Sequence, residues 1–337
     1  MQLEPGTEFA ATFITFIVSF AVVLIAMPPL IRKMKEGGMV GQDINKPGKP
    51  EVAELGGIAA VFAFSISVSF MVGVIKLAGY LYEPPFLAAI SVFFVASMIG
   101  LIDDISRISQ RVKAVVLVFA SFPLMLVHSG FEHVLFPFNV MIDIPFYVYW
   151  LIVVPVGVTG AGNALNMSAG YNGLESGQIV IISSFLLFIL FLRSPGSYAL
   201  PIFSSLLGCS LALFYFNRHP ARVFIGDIGT LGMGAAVAAG VIVGDIEFFG
   251  AICILPAFYE AVATGYYLVV GNHDRRNACQ NPIINKDGTL SPPRGSERYT
   301  LAYFILSKRP MTEKNLVRTI LGIYAIAGAI ALVLSVM

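Results

Sequence analysis

Long apolar runs alternate with shorter polar intervals along the whole chain. Ten runs are long enough, or nearly so, to cross a hydrocarbon core of ~30 Å at ~20 residues each. They cover approximately residues 8–31, 56–79, 85–102, 112–128, 146–163, 178–194, 199–216, 229–245, 247–270 and 316–337. Lipid offers the backbone no hydrogen-bond partners, so such runs are predicted to be helices. The expected fold is an all-α integral membrane protein of about ten transmembrane helices, a single polytopic domain over residues 1–337. The intervals on one side are long and polar: 32–55, 103–113, 164–177, 217–228 and 271–318. Those on the other side are short, at 80–84, 195–198 and about 245–247. The exception is 129–145, where apolar and polar residues alternate around Pro137 and predict a small external hairpin.

Composition narrows the class. Of the 337 residues, 57% are hydrophobic and 12% charged, with a mean hydropathy of +0.82. A soluble domain is about a quarter charged, so soluble, disordered and fibrous classes are excluded. Of the 21 Lys and Arg, only Lys76 and Arg193 fall outside the long polar intervals. By the positive-inside rule those intervals face the cytosol and both termini lie outside. A net charge of +1 gives no basic signal for nucleic acid. Cys209, Cys253 and Cys279 form neither a disulfide framework nor a C-x-x-C metal motif. The first residues, Met-Gln-Leu-Glu-Pro-Gly-Thr-Glu, lack the basic start of a signal peptide.

The candidate chemistry clusters on the inner side. Asp103 and Asp104 end the third run, and Lys113 opens the fourth. Adjacent carboxylates at a membrane boundary attract cations, although acids of inner loops are commonly just solvated. The stretch 159–178, TGAGNALNMSAGYNGLESGQ, is rich in Gly and Asn and has no Lys or Arg. In it Asn163 and Asn166, three apart, share a face at a helix end. Asn172-Gly173 reads as a turn, while glycines such as Gly170 permit close approach to a ligand. In 217–230, Asp227 precedes an apolar helix, where it is either an N-cap or a metal ligand beside a bound phosphate. Phe224 is placed to stack on a flat base or to pack against its neighbours. Residues 41–57 carry Asn45, Lys46 and Glu54. In 271–290, His273, Arg275 and Arg276 form either a solvated basic loop or a clamp on a diphosphate. Glu260, inside an apolar run, is a bundle contact or a functional acid. Hard oxygen ligands without thiolates or imidazoles favour Mg²⁺, with Mn²⁺ as an alternative, and carboxylates, Mg²⁺ and cationic side chains are the parts of phosphoryl transfer.

Five segments in order carry a family resemblance. They are D-x-N-K-P at 43–47, G-x-x-D-D at 100–104, N-x-x-N-x-x-A-G-x-N-G-L-E-x-G-Q at 163–178, F-x-G-D at 224–227, and a basic last inner loop. Together they resemble the polyprenyl-phosphate N-acetylhexosamine-1-phosphate transferases, over about residues 41–318. Ala169–Gln178 and the stretch Arg309–Leu316 are most similar to the eukaryotic and archaeal branch. That branch transfers GlcNAc-1-phosphate from UDP-GlcNAc to dolichyl phosphate. The bacterial phospho-MurNAc-pentapeptide branch typically has Asp-Gly at Ala169-Gly170 and a His-rich last loop. This chain has His-Asp-Arg-Arg-Asn where the eukaryotic branch has Pro-Arg-His-Arg.

The resemblance implies roles residue by residue. Asn166 and Asp227 would hold Mg²⁺ with the donor pyrophosphate. Glu54, Asn172 and Phe224 would surround the uridine, and Gly170 would approach the sugar. Asp103, Asp104 and Lys113 would face the lipid phosphate. His273, Arg275 and Arg276 would grip the diphosphate and sugar, and Asn45, Lys46 and Asn163 join the substrate-binding set. The implied partners are UDP-GlcNAc, a polyprenyl or dolichyl phosphate and membrane lipid, with no nucleic acid. The reaction would be the first lipid-linked step of glycan assembly, at a prokaryotic plasma membrane or the ER. Apolar helix faces look alike whether they meet lipid or a second subunit in a homodimer. The rival classes are an ion-coupled secondary transporter and a CDP-alcohol phosphotransferase. The first expects polar groups at the midplane, and the second a D-x-x-D-G-type run.

Overall fold

The computed structural model describes residues 7–77, 79, 84–106, 108–127, 132–269, 281–293 and 300–337. The chain begins with α1 (Thr7–Glu36), a short β1 (Val40–Gln42) and β2 (Glu51–Ala53) hairpin, α2 (Gly57–Leu77) and α3 (Pro84–Ser106). It continues through α4 (Gln110–Val118), a 3₁₀ helix (Phe119–Val127), and the antiparallel pair β3 (Glu132–Leu135) and β4 (Met141–Ile144). A short α5 (Phe146–Val148) and a π turn (Tyr149–Val153) lead into α6 (Val154–Met167). Then come α7 (Leu174–Arg193), α8 (Ala199–Asn217), α9 (Gly226–Val243) and α10 (Glu247–Val269). The last part holds β5 (Ile283–Ile284), β6 (Leu290–Ser291), α11 (Leu301–Lys308) and α12 (Glu313–Ser335).

Among the described residues, nine helices are long and apolar enough to cross a membrane. The all-α membrane fold is therefore present, with one difference. The expected fourth span, 112–128, is not a single α-helix but α4 followed by nine residues of 3₁₀ helix. Pro123 lies within the latter and lacks the N–H that an α-helical bond needs. A 3₁₀ turn rises more per residue than an α turn, so 110–127 reaches roughly 30 Å in spite of its length. That matches a bilayer core, and the chain order agrees. Lys113 at the start of α4 and Asn166 at the end of α6 meet at one end of the bundle. The β3–β4 hairpin lies at the opposite end, where Phe136 packs on Phe248 near the start of α10. The segment 110–127 must therefore run from one end to the other.

Helix boundaries also move. The inner interval expected at 164–177 shrinks to 168–173, because α6 continues to Met167 and α7 starts at Leu174. The Gly-rich α9 lies at the centre of the bundle, with 83% of its apolar window buried against 28% for α1. Small residues are what permit this, since membrane helices associate through close packing rather than hydrophobic expulsion. At Gly100, a Cβ would lie 2.3 Å from the carbonyl oxygen of Asp227. Only glycine lets the end of α3 lie against the first turn of α9.

Candidate active site

That contact positions the acids. Asp103 and Asp104 follow Gly100 by three and four residues, one helical turn, and so reach the N-terminus of α9. The two carboxylates then diverge. Asp104 Oδ1 and Oδ2 accept the backbone N–H groups of Asp227 (2.8 Å) and Ile228 (3.0 Å). These amides have no partner within the helix, and the helix dipole favours an anion there. Asp104 is thus the anchor that fixes where Asp227 begins its helix. Asp103 turns the other way. Its Oδ1 accepts from Ile108 N at 2.6 Å, closing the turn into α4, and its Oδ2 accepts from Lys113 Nζ at 2.5 Å.

Lys113 is the hub of the cluster. Its ammonium also donates to Asp227 Oδ2 at 2.8 Å and to Asn166 Oδ1 at 3.4 Å, and its side chain is 1% exposed. Asn166, brought in by the last turn of α6, donates to Asp227 Oδ1 at 2.7 Å and to Thr230 Oγ1 at 2.9 Å. Burying an ammonium is costly unless charges and hydrogen bonds compensate it, which the two carboxylates and the amide do. Three carboxylates stand against one ammonium, so the cluster keeps a negative surplus. Exposure is graded across it. Lys113 and Asp103 are buried, the Asp227 side chain is 30% exposed, and Asp104 is exposed but does not line the cavity. Of the three carboxylates, Asp227 is the one that lines a cavity.

It opens onto a cavity of about 310 Å³. Asn166, Asp227, Gly170, Asn172, Asn45 and Phe224 all line it. Its size falls at the lower end of small-molecule sites, ~300–1,000 Å³. Two buried acceptors of the lining have no partner among the described residues, Asn45 Oδ1 and Glu175 Oε2. The wall opposite Asp227 is tied together by Glu313, at the first turn of α12. Glu313 Oε1 accepts from Asn172 N (2.8 Å) and Asn45 Nδ2 (3.4 Å). Its Oε2 accepts from Lys46 Nζ at 3.3 Å, while Asn172 Nδ2 donates to Asp43 Oδ2 at 2.9 Å. Lys46 also pairs with Asp43, and Asn45 Nδ2 donates to Gly170 O at 2.8 Å. Phe224 is held by its backbone, whose N donates to Ala53 O at 2.7 Å and whose carbonyl accepts from Gly56 N at 2.8 Å.

The residues singled out from the sequence therefore separate into groups. Asn45, Gly170, Asn172 and Phe224 line the cavity with Asn166 and Asp227. Asp103, Asp104 and Lys113 form the charged cluster behind Asp227. Lys46 holds the wall. Glu54 does not line the cavity. It is exposed over Gly41, and partial desolvation raises the pKa of its carboxyl. Asn163 does not join Asn166, because its Nδ2 bonds back to Thr159 O at 2.9 Å within α6. His273, Arg275 and Arg276 lie outside the described residues. Glu260 accepts from Leu301 N at 2.8 Å at the start of α11, a bundle contact that secures the last interval. Sequence reasoning missed Glu313, Asp43 and Thr230 as site residues. Asp43 stands in the D-x-N-K-P motif and Thr230 just after F-x-G-D, so position could have flagged both. Only the fold brings Glu313 to them, across 268 residues from Asn45.

Hard oxygen ligands around a negative surplus suit Mg²⁺, which takes one or two protein carboxylates and completes its shell with substrate phosphate and water. Among the described residues no group of three His, Cys, Asp or Glu is placed to hold a metal ion without such help. A bundle of apolar helices with this cluster and cavity at one end has the parts that a membrane phosphotransferase needs. Known proteins narrow the class. The model of glycosyl transferase family 4 matches residues 86–245. A Saccharolobus solfataricus protein is 33% identical over 253 residues, 75% of this chain and 77% of the relative. Its provisional name is UDP-N-acetylglucosamine–dolichyl-phosphate N-acetylglucosaminephosphotransferase. A glycosyltransferase, also provisionally named, from Methanocaldococcus jannaschii is 29% identical over 97% of this chain and 96% of its own length. The phospho-N-acetylmuramoyl-pentapeptide-transferase of Acetivibrio thermocellus is 29% identical over 71% of this chain and 75% of its own. The chain belongs to glycosyl transferase family 4, and is an integral membrane phosphosugar transferase.

Proposed function

We propose that the protein transfers GlcNAc-1-phosphate from UDP-GlcNAc to a polyprenyl phosphate of the dolichyl type, releasing UMP. The observation that carries this reading is the cluster of Asp103, Lys113, Asn166 and Asp227, of which Asn166 and Asp227 line a cavity rich in polar side chains. The name of the Saccharolobus relative supports the choice of donor and acceptor. In this reaction an oxygen of the lipid phosphate attacks the β-phosphorus of the donor. The bond from that phosphorus to the bridging oxygen breaks, UMP leaves with the bridging oxygen, and GlcNAc-diphospho-polyprenol forms. A phosphate monoester is already mostly ionised near neutral pH, its second pKa being ~6. Direct attack thus needs no carboxylate to form a covalent intermediate.

Asp227 and Asn166 would hold Mg²⁺, which neutralises the pyrophosphate and the departing UMP when bound. Lys113, fixed between Asp103 and Asp227, offers a positive charge to the attacking phosphate. The exposed apolar side chains of Val115, Val116 and Phe119 just beyond it give a lipid tail a surface to follow. The partnerless acceptors Asn45 Oδ1 and Glu175 Oε2 suit a donor rich in N–H and O–H groups. Phe224 provides a face for the uracil. By the distribution of Lys and Arg, this end of the bundle faces the cytosol.

The test is an assay of the purified protein with UDP-GlcNAc, polyprenyl phosphate and Mg²⁺, quantifying UMP and lipid-linked sugar. Stoichiometric products that disappear with EDTA are expected. Turnover with UDP-MurNAc-pentapeptide in place of UDP-GlcNAc would reassign the donor. Uptake of an unaltered substrate into sealed proteoliposomes would replace the reading by transport.

A further inference from the structure

A second, larger concavity of about 620 Å³ adjoins the first, beyond the wall formed by Asn172. Four cations line it: Arg218 and Arg222 after the end of α8, and Lys314 and Arg318 in the first turns of α12. No carboxylate lines it, and none of the four has a carboxylate partner among the described residues. Arg218 and Arg222 lie over the ring of Tyr215, with guanidinium carbons 5.1 and 4.7 Å from its centre. Stacking of this kind orients a guanidinium while leaving most of its edge free to donate.

Their convergence is built into α7. Gly173 has φ +87°, and a Cβ there would lie 3.0 Å from Arg218 Cα. One turn later, a Cβ on Gly177 would lie 2.8 Å from Leu321 and 3.4 Å from Phe214. The two glycines let the end of α8 and the start of α12 close over α7. Phe214, Val317 and Leu321 then form an apolar floor beneath the cations. One turn further into the bundle on α8, Leu211 is exposed, continuing an apolar track towards the span.

Four unpaired like charges around one concavity repel each other, and an anion relieves that repulsion. Cations above an apolar floor at the end of two spans fit a ligand with an anionic phosphate and a hydrocarbon tail. We propose that this concavity is a binding site for the phosphate head group of an anionic membrane phospholipid, separate from the catalytic cluster. The proposal does not rest on the identity of the sugar donor, and its readout is binding.

The test uses the full chain in mixed micelles of phosphatidylcholine and phosphatidylglycerol, with retained lipid counted by native mass spectrometry. The wild type is expected to retain phosphatidylglycerol in preference to phosphatidylcholine. The double variant Lys314→Gln, Arg318→Gln should weaken that retention by about 25-fold, at about fivefold for each cation near an anionic head group. Both side chains are exposed and unpaired, so melting in phosphatidylcholine alone should not change. Equal retention by wild type and variant would overturn the site. So would displacement of phosphatidylglycerol by an equal concentration of inorganic phosphate, which would reveal a free-phosphate site.

Discussion

Lys113 and Asp227, 114 residues apart, meet at 2.8 Å at one end of the bundle, and the lysine is almost wholly buried there. Asp103 closes on the same ammonium from the other side. The pair joins the buried charge that organises the cluster to the one carboxylate of the cluster that opens onto the cavity. It also separates residues that act on a ligand from residues that set the stage.

Asp227→Asn should lower kcat by about 100-fold or more, the scale for losing one preorganised electrostatic group. The variant should fold with a lowered melting temperature: Asp103 still pairs with Lys113 and the amide oxygen can still accept from Asn166 Nδ2, but the amide NH2 replaces the oxygen that accepts from Lys113. A Mg²⁺ titration of turnover alongside thermal unfolding in detergent checks both. A folded variant with wild-type turnover would remove Asp227 from the reaction.

Lys113→Met should cost stability as well as activity. It leaves Asp103 and Asp227 facing each other without the ammonium, a change on the order of 3–5 kcal/mol for a buried pair. Adding Asp103→Asn should recover much of the melting temperature but not the turnover. If the double variant melts no higher than the single one, the two charges are not coupled.

Glu313→Gln keeps the size of the side chain but loses the charge that Lys46, Asn45 and Asn172 share. The wall of the cavity should loosen, raising the donor KM by about 10- to 150-fold, as expected for hydrogen bonds to a charged group. The lipid KM should stay within a factor of a few. A rise confined to the lipid KM would put Glu313 on the other substrate.

Gly100→Ala forces a methyl group against the backbone of Asp227, with an overpacking cost of about 1–3 kcal/mol. Activity should fall further than stability, because the shift moves Asp227 itself. Gly157→Ala, where nothing lies within 4 Å, is the control and should be neutral or slightly stabilising. Thermal unfolding and kcat for the two variants separate the effects, and a neutral Gly100→Ala would mean that α3 can move freely from α9.

Phe224→Ala should raise the donor KM with little change in kcat if the ring stacks on the base. Its backbone bonds to Ala53 and Gly56 do not depend on the side chain, so the loop should hold. Steady-state kinetics at varied donor concentration decide this, and an unchanged KM would assign the ring to packing.

The apolar runs alone determined that this is a helical membrane protein, and among the described residues nine of the ten coincide with helices long and apolar enough to cross a membrane, one of them interrupted by the π turn at Tyr149–Val153. That inference works because lipid leaves the backbone no alternative to self-satisfied helices. Local spacing also marked Asp103, Asp104, Asn166, Asn172, Phe224 and Asp227, since each sits where a helix end meets a polar interval. Spacing misled where a side chain had a nearer partner. Asn163 is in phase with Asn166, but Thr159 O lies within reach on its own helix and takes its amide. Hydropathy could not tell an α-helical crossing from one completed by 3₁₀ turns, because that choice depends on Pro123 and on local packing rather than on average apolarity. Only the tertiary structure could show that Asp104 anchors α9 while Asp103 pairs with Lys113. Adjacent side chains on a helix diverge by about 100°, so their partners depend on which helices flank them. Likewise only the fold carries Glu313 to Asn45 and Asn172, because a contact across most of the chain leaves no local pattern.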